Sequence, residues 1–380
     1  MFSLTTASTS LLYIFIIVST TFLASKSQRI TSKGVAPKIK WLIGAFFIHW
    51  FFCAFTNIGA DHDQYIFIIS YDAGFRFVNG NEVGFNGLCM ILYLLTHNAE
   101  TCIFVLKTLT ILLIYGGFYL LRNHVQMYLC VLAYNVSIYF VGFYLLSISL
   151  AIAFVFLAGA LMVRNLHPNI AFLLTIVGMT VHTSCLLMVI CFLGILILDR
   201  FRIKIGWTFF AILLLMTIII LVNIKGLFSY SISSLDMLSE YERYEEEKER
   251  SGSGLFYYFL YALFLFYMFP ISKSNLNIHA KHSIIVFFLF SLMFSIMGYS
   301  FGISRINYYS IVYTAIAMPY FFYQVKFEKL KVKSFLAPPT MLLIWWIYLS
   351  FGFFQTIRTF TSEAWSISHY VLYNPFVVSY

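Results

Sequence analysis

Charge is what this sequence has least of. Asp, Glu, Lys and Arg make up 10% of its 380 residues, whereas a soluble domain carries about 25%. That scarcity excludes a water-soluble fold. Cysteine is sparse and unpaired in pattern: Cys53, Cys89, Cys102, Cys130, Cys185 and Cys191 form no C-x-x-C pair and lie in or beside apolar runs. They read as small core residues. Internal repeats, low-complexity tracts and a linker to a soluble domain are also missing. The formal net charge is +9, but the basic residues sit in short clusters between apolar runs, so they set membrane orientation and give no nucleic-acid signal.

What fills the chain instead is apolar. Hydrophobic residues make up 61% and aromatics 20%, mean hydropathy is +0.87, and apolar runs recur near the roughly 20-residue length of a membrane span. The expectation is an all-α, polytopic membrane protein in one integral membrane domain over 1–380, with about ten full transmembrane helices plus one re-entrant helical hairpin. The first 25 residues carry no charge, and Lys26, Arg29, Lys33, Lys38 and Lys40 follow them. A cleaved signal peptide has its positive charges first, so a retained span with an outside N-terminus is expected.

Further spans are expected near 41–60, 102–121, 126–144, 147–163, 206–224, 255–272, 283–301, 308–325 and 338–357. The run from Asn169 to Leu198 is long for one helix and short for two crossings, and basic residues flank both of its ends. A bent hairpin is expected there, broken around Gly178, Thr180, His182, Thr183 and Ser184, where freed backbone groups need polar partners. This layout puts 16 of the 24 basic residues on the inside with only two of the 15 acids, the asymmetry that the positive-inside rule demands. A charged outward loop covers 225–253, either a solvated helix or a lid.

Ionisable residues concentrate in DHDQYIFIISYDAGFRFVNGNEVGFN, from Asp61 to Asn86, at the start of an outward loop over 61–100. One reading is an amphipathic helix lying on the membrane, because Tyr65, Ile68, Ile69, Tyr71 and Phe75 recur at roughly helical spacing. The other is a carboxylate-bearing site facing water. On the same outward side the layout gathers Asp61, Asp63, Glu82, His182 and Arg305. An arginine between two apolar spans is costly unless it meets an anion or water, or snorkels to the interface. His182 is the only ionisable residue between Asn169 and Leu198; both a structural and a catalytic role stay open. Asp61 and Asp63 have D-x-D spacing, whose oxygens could hold a divalent ion; no other cofactor is expected. His97 and Glu100, at i,i+3, could bind metal or cap a helix, the structural reading being preferred, and Asn135-Val136-Ser137 has glycosylation spacing but falls inside an expected span.

Those residues give the chain a resemblance to the EpsG-like and O-antigen polymerases of bacterial surface polysaccharide assembly. It rests on Asp61 with Tyr65; Glu82-Val-Gly-Phe85, similar to the family's Glu-Pro-Gly-Phe; Ser149 to Ala153 before a span; Val181-His-Thr-Ser184, similar to a His-x-Ser pattern; and Arg305 to Tyr309 as R-x-x-x-Y. One departure matters: Ser147 stands where the family commonly has an arginine, so Arg76, Lys107 or Arg305 would have to supply that cation. The resemblance implies a GT-C-like glycosyltransferase of the inner membrane with its site facing the periplasm. It would transfer glycan from undecaprenyl pyrophosphate onto a lipid-linked repeat unit, alongside a chain-length regulator. Glu82, His182 and Asp61 would be catalytic, and Arg305, Arg76, Tyr65 and Tyr309 would bind substrate. A flippase or proton-coupled carrier of lipid-linked oligosaccharide, and an O-antigen ligase, are the competing readings.

Overall fold

The computed structural model describes residues 2–3, 6–31, 34–57, 61–203, 276–301 and 304–327, with short pieces within 342–350 and at 371–372. These residues are almost wholly helical. In order they form α1 (Thr6–Lys26), α2 (Ile39–Ala54), α3 (His62–Phe67), α4 (Ala73–Asn79), α5 (Val83–Thr96), α6 (Ala99–Leu121), α7 (Met127–Ser137), α8 (Leu146–Val163), α9 (Pro168–Val181), α10 (Leu186–Arg200), α11 (Ile278–Phe301) and α12 (Met318–Phe327). Among the described residues strand pairing is confined to an antiparallel hairpin, Gln28–Thr31 with Gly34–Pro37, and a two-residue pair, Phe2–Ser3 with Val371–Leu372.

The chain is an all-α membrane protein. Among the described residues four helices are long and apolar enough to cross a bilayer: Ala7–Lys26, Ala99–Leu121, Leu146–Val163 and Thr183–Arg200. The expected spans at 206–224 and 255–272, the charged loop 225–253 and most of 338–357 lie outside the described residues. Two expected spans are shorter than the sequence suggests. The run 41–60 yields Ile39–Ala54, and 126–144 yields Met127–Ser137 followed by a 3-10 turn, Tyr139–Phe143.

Helix α8 is the centre. Its sequence is apolar around its whole circumference, which suits a helix surrounded by others; 83% of its apolar window is buried, against 33% for α1. It packs chiefly on α6 and α9. Helix α1, at the periphery, exposes Leu11, Phe15, Val18 and Phe22, a stripe at helical spacing that suits lipid.

A buried polar network ties α1, α2, α6 and α7 together. His49 on α2 meets Tyr115 Oη on α6 through Nδ1 at 2.8 Å and Asn135 Oδ1 on α7 through Nε2 at 2.6 Å. Asn135 Nδ2 donates to Thr20 Oγ1 on α1 at 2.9 Å, and Tyr139 Oη donates to the His49 carbonyl at 2.9 Å. An amide oxygen only accepts, so Nε2 carries the proton in this arrangement and Nδ1 accepts from Tyr115. His49, Asn135 and Thr20 have no exposed surface, so every donor in the set needs a partner inside the protein. The glycosylation triplet at 135 is therefore core.

Candidate functional site

The Asp61–Asn86 stretch folds as α3, a π-helical turn over Ile68–Asp72, α4, and the first turn of α5. Ile68, Ile69 and Ala73 face inward, while Phe67, Tyr71, Phe75 and Val78 are exposed. One side of the segment packs on the protein and the other is an apolar stripe of aromatic character.

Glu82 sits at the N-cap of α5. Two residues on, Gly84 packs directly against α9. A Cβ there would run into Thr180, with its Cβ and carbonyl carbon each 2.8 Å away and Oγ1 closer still. No other side chain fits between those backbones. This close approach sets Glu82 beside the C-terminus of α9.

There the chain breaks. His182 has extended backbone angles (φ −149°, ψ 123°), a single 3-10 turn Thr183–Cys185 follows, and α10 then begins. The break has a local cause: Thr180, Val181, Thr183 and Ser184 are poor helix formers, and the His182 ring caps the short turn. The two halves fold back on each other, with Cys185 Sγ 3.5 Å from the Thr175 carbonyl. The expected hairpin break is thus centred on His182.

The break sets up a chain of side chains. Ser184 N donates to His182 Nδ1 at 3.3 Å, and Ser184 Oγ lies 2.7 Å from the same nitrogen. Tyr309 Oη lies 3.1 Å from Ser184 Oγ. A backbone N–H cannot accept, so Nδ1 must, and the ring proton belongs on Nε2. That nitrogen faces Glu82 Oε1 at 3.6 Å, just beyond hydrogen-bond length. The ring is 9% exposed and the carboxylate 28%, so the carboxylate meets the outside and the imidazole stands behind it.

Tyr65 extends the cluster to α8. Its hydroxyl accepts from Leu146 N at 3.1 Å and lies 3.5 Å from Ser147 N. It thereby serves two of the N–H groups that a helix start leaves over. Burial pushes this hydroxyl up to about 12; hydrogen bonding with Ser147 opposes the shift, and the carboxylates of Glu82 and Asp61 add to it. Tyr65 thus keeps its proton throughout the neutral range. Asp61 stands at the N-cap of α3.

Other candidates lie apart from this set. Arg76 is bound to Asp72 at 2.6 Å, an i,i+4 pair on α4, so part of its guanidinium is already engaged. Lys107 is buried on α6 and donates to the Thr56 carbonyl at 2.6 Å, where it serves the end of α2. Arg305 falls in the same 3-10 turn as Tyr309, Ser304–Ser310, but its side chain is outside the described residues. Glu100 pairs with His62 at 3.1 Å, while Asn98 caps α6 by accepting from Thr101 N at 3.1 Å. Among the described residues no three His, Cys, Asp or Glu side chains gather as a metal site; Asp63 is exposed.

The structure therefore brings Glu82, His182, Tyr65, Asp61 and Tyr309 to one place, although they are up to 248 positions apart in the numbering. Sequence reasoning did not assign Ser184 its role as the link to Tyr309. The only available signal was its two-residue spacing from His182.

A family model described as the EpsG family matches residues 39–361. Comparison with curated proteins and with solved structures returns no match.

Proposed function

Because the chain belongs to the EpsG family, we propose that it is a polysaccharide polymerase: a membrane glycosyltransferase that moves a growing glycan from undecaprenyl pyrophosphate onto a lipid-linked repeat unit. The proposed location is the bacterial inner membrane, with the site facing the periplasm and a chain-length regulator as protein partner.

The observation that carries the reading is the orientation of the Glu82–His182 pair. With Nδ1 accepting from Ser184, His182 presents a proton at Nε2, and Glu82, as a carboxylate, is the member of the pair able to take up a proton. Glu82 is accordingly the general base. It takes the proton from the acceptor hydroxyl as that oxygen bonds to the anomeric carbon, and the bond from that carbon to pyrophosphate breaks. His182 Nε2–H faces that carboxylate at 3.6 Å and orients it through charge and dipole rather than a direct hydrogen bond. Tyr65 and Asp61 flank the acceptor side. The leaving pyrophosphate needs a cation. Arg305 is assigned that task, since a guanidinium offers paired donors that match a pyrophosphate edge.

The test is chain extension by purified protein on a lipid-linked repeat unit in nanodiscs. Glu82→Gln should abolish it at normal abundance, and Arg305→Lys should retain binding but turn over slowly. Deletion in the host separates the alternatives. A surface glycan reduced to one repeat indicates a polymerase, whereas loss of all capping indicates a ligase or a flippase and overturns the proposal.

A further inference from the structure

At the end of α10 remote from His182 lies a second polar cluster that the proposed chemistry does not use. Asp199 Oδ1 meets His282 Nδ1 at 2.5 Å, and Asp199 Oδ2 lies 3.0 Å from His279 Nδ1. His282 Nε2 meets the Ile203 carbonyl at 2.9 Å. The carbonyl only accepts, so Nε2 carries one proton and a second lies between Nδ1 and the carboxylate. The bond is therefore charge-assisted, or its neutral equivalent with the proton on Asp199. The His279 contact is off the hydrogen-bonding line, since Nδ1 makes no hydrogen bond there, and it contributes through proximity alone. The His282 side chain is 1% exposed and Asp199 12%, so that pair is enclosed, while His279, 32% exposed, stands at its outer edge.

Its position gives it meaning. Asp199 closes α10, the helix that begins just after Ser184. His279 and His282 open α11, against which the turn bearing Tyr309 folds. The helix pair is thus bracketed by two polar ties: Asp199 on α10 to His282 on α11, and Ser184 in the turn before α10 to Tyr309 in the turn after α11. Apolar packing between them, such as Phe192 on Phe287 with ring centroids 5.4 Å apart, tolerates sliding. The polar ties fix the register, because a shift by one residue breaks both.

We propose that Asp199, with His282 and His279, is a positioning clamp: it fixes α11 against α10 so that Tyr309 holds Ser184, and Ser184 holds the His182 ring with Nε2 toward Glu82. None of the three touches substrate. This rests on the reading of His182 as part of the site, but the coupling between the two ends is measurable without any reaction.

The experiment is hydrogen–deuterium exchange on the full protein in nanodiscs, comparing wild type, Asp199→Ala, Asp199→Asn and the swap Asp199→His with His282→Asp. The single variants should speed exchange in 304–310 and 183–185 by about tenfold, corresponding to about 1.4 kcal/mol. The swap, which keeps an imidazole–carboxylate pair, should restore most of the protection. In the extension assay the same single variants should lower kcat about tenfold with KM unchanged, and the swap should recover kcat. Faster exchange confined to the residues around 199 and 282 overturns the proposal, as does a swap that restores abundance but not protection at 304–310. If both single variants and the swap fail to insert, the cluster is a folding element and the clamp is equally refuted. Exchange that behaves as expected in a protein without extension activity would leave the clamp standing and sink the polymerase reading instead.

Discussion

Two histidines in this protein sit among tyrosines and short polar side chains, and they are built for opposite ends. His49 has both ring nitrogens engaged at 2.8 and 2.6 Å and no exposed surface. His182 meets Ser184 through Nδ1 at 2.7 Å, and its Nε2 faces a carboxylate at 3.6 Å that is itself 28% exposed. The first is a closed circuit that joins α1, α2, α6 and α7. The second opens onto the surface at a helix break. A network satisfied on every side stabilises one arrangement; a pair held slightly too far apart leaves space for a third atom to enter. Hydrogen-bond geometry, more than residue type, separates the structural histidine from the one proposed to serve the reaction.

The contrast breaks most sharply under exchange of the two histidines for alanine. His182→Ala should reduce chain extension by about 10²- to 10⁴-fold, the range for a lost acid–base partner, while abundance and melting stay near wild type. His49→Ala should do the reverse. It strands the Tyr115 hydroxyl and the Asn135 oxygen and leaves a cavity, a loss of about 3–5 kcal/mol in stability. Thermal unfolding in detergent beside the extension assay reads both, and equal destabilisation by the two substitutions would erase the distinction.

Gly84→Ala sharpens it from the other side. The new Cβ collides with Thr180 backbone, so α5 must move off α9 and carry Glu82 away from His182; extension should fall about 10²-fold by analogy with a displacement of about 1 Å. Thr180→Ala should not rescue it, because the Thr180 carbonyl carbon and Cβ remain in the way. Recovery of extension in that double variant would show that the hydroxyl alone set the spacing.

Smaller effects are expected further out. Ser184→Ala removes the strongest bond to Nδ1 but leaves the backbone N–H in place, so kcat should drop about tenfold, corresponding to about 1.4 kcal/mol, with stability little changed. An unaltered kcat would mean that the ring is held by packing. Tyr65→Phe takes an acceptor from the start of α8 and should cost about 1 kcal/mol of stability with a few-fold loss of turnover. Because Tyr65 stays protonated to about pH 12, its removal should leave the shape of the pH–rate profile near neutrality unchanged. A moved limb would make it a proton donor.

Much of this was legible in the sequence. Apolar run length exposed the membrane class, and the charge asymmetry of the loops grouped Asp61, Glu82 and His182 on one side; within that group Glu82 and His182 lie 3.6 Å apart. The break at His182 was readable from a run too long for one helix with Gly178, Thr180 and Thr183 at its middle. His49 escaped because a histidine among Phe, Ile and Trp in an apolar span has no local signal; its network draws on three other helices, 29 to 86 positions away in the numbering. The shortness of α2 and α7 was hidden for a related reason. Hydropathy extends through Phe55 and through Tyr139–Phe143, where backbone geometry does not remain α-helical. Arg76 illustrates the limit on charge reading: Asp72, one turn before it, claims it locally.

The two tyrosines of the site share a feature of the backbone. A wide π-helical turn begins three residues after each, Ile68–Asp72 after Tyr65 and Val312–Ala317 after Tyr309. Such a turn accommodates one residue more than an α-helical turn. The extra residue is absorbed there: were 312–317 to become an ordinary α-helix with its residue count unchanged, its N-terminal side would rotate by about 100° relative to its C-terminal side. Tyr309 would then point away from Ser184 with every named side chain still present. The width of the turn is thus part of how Tyr309 is aimed: a substitution that favours an ordinary α-helical turn at 312–317 should swing Tyr309 off Ser184 without altering either side chain.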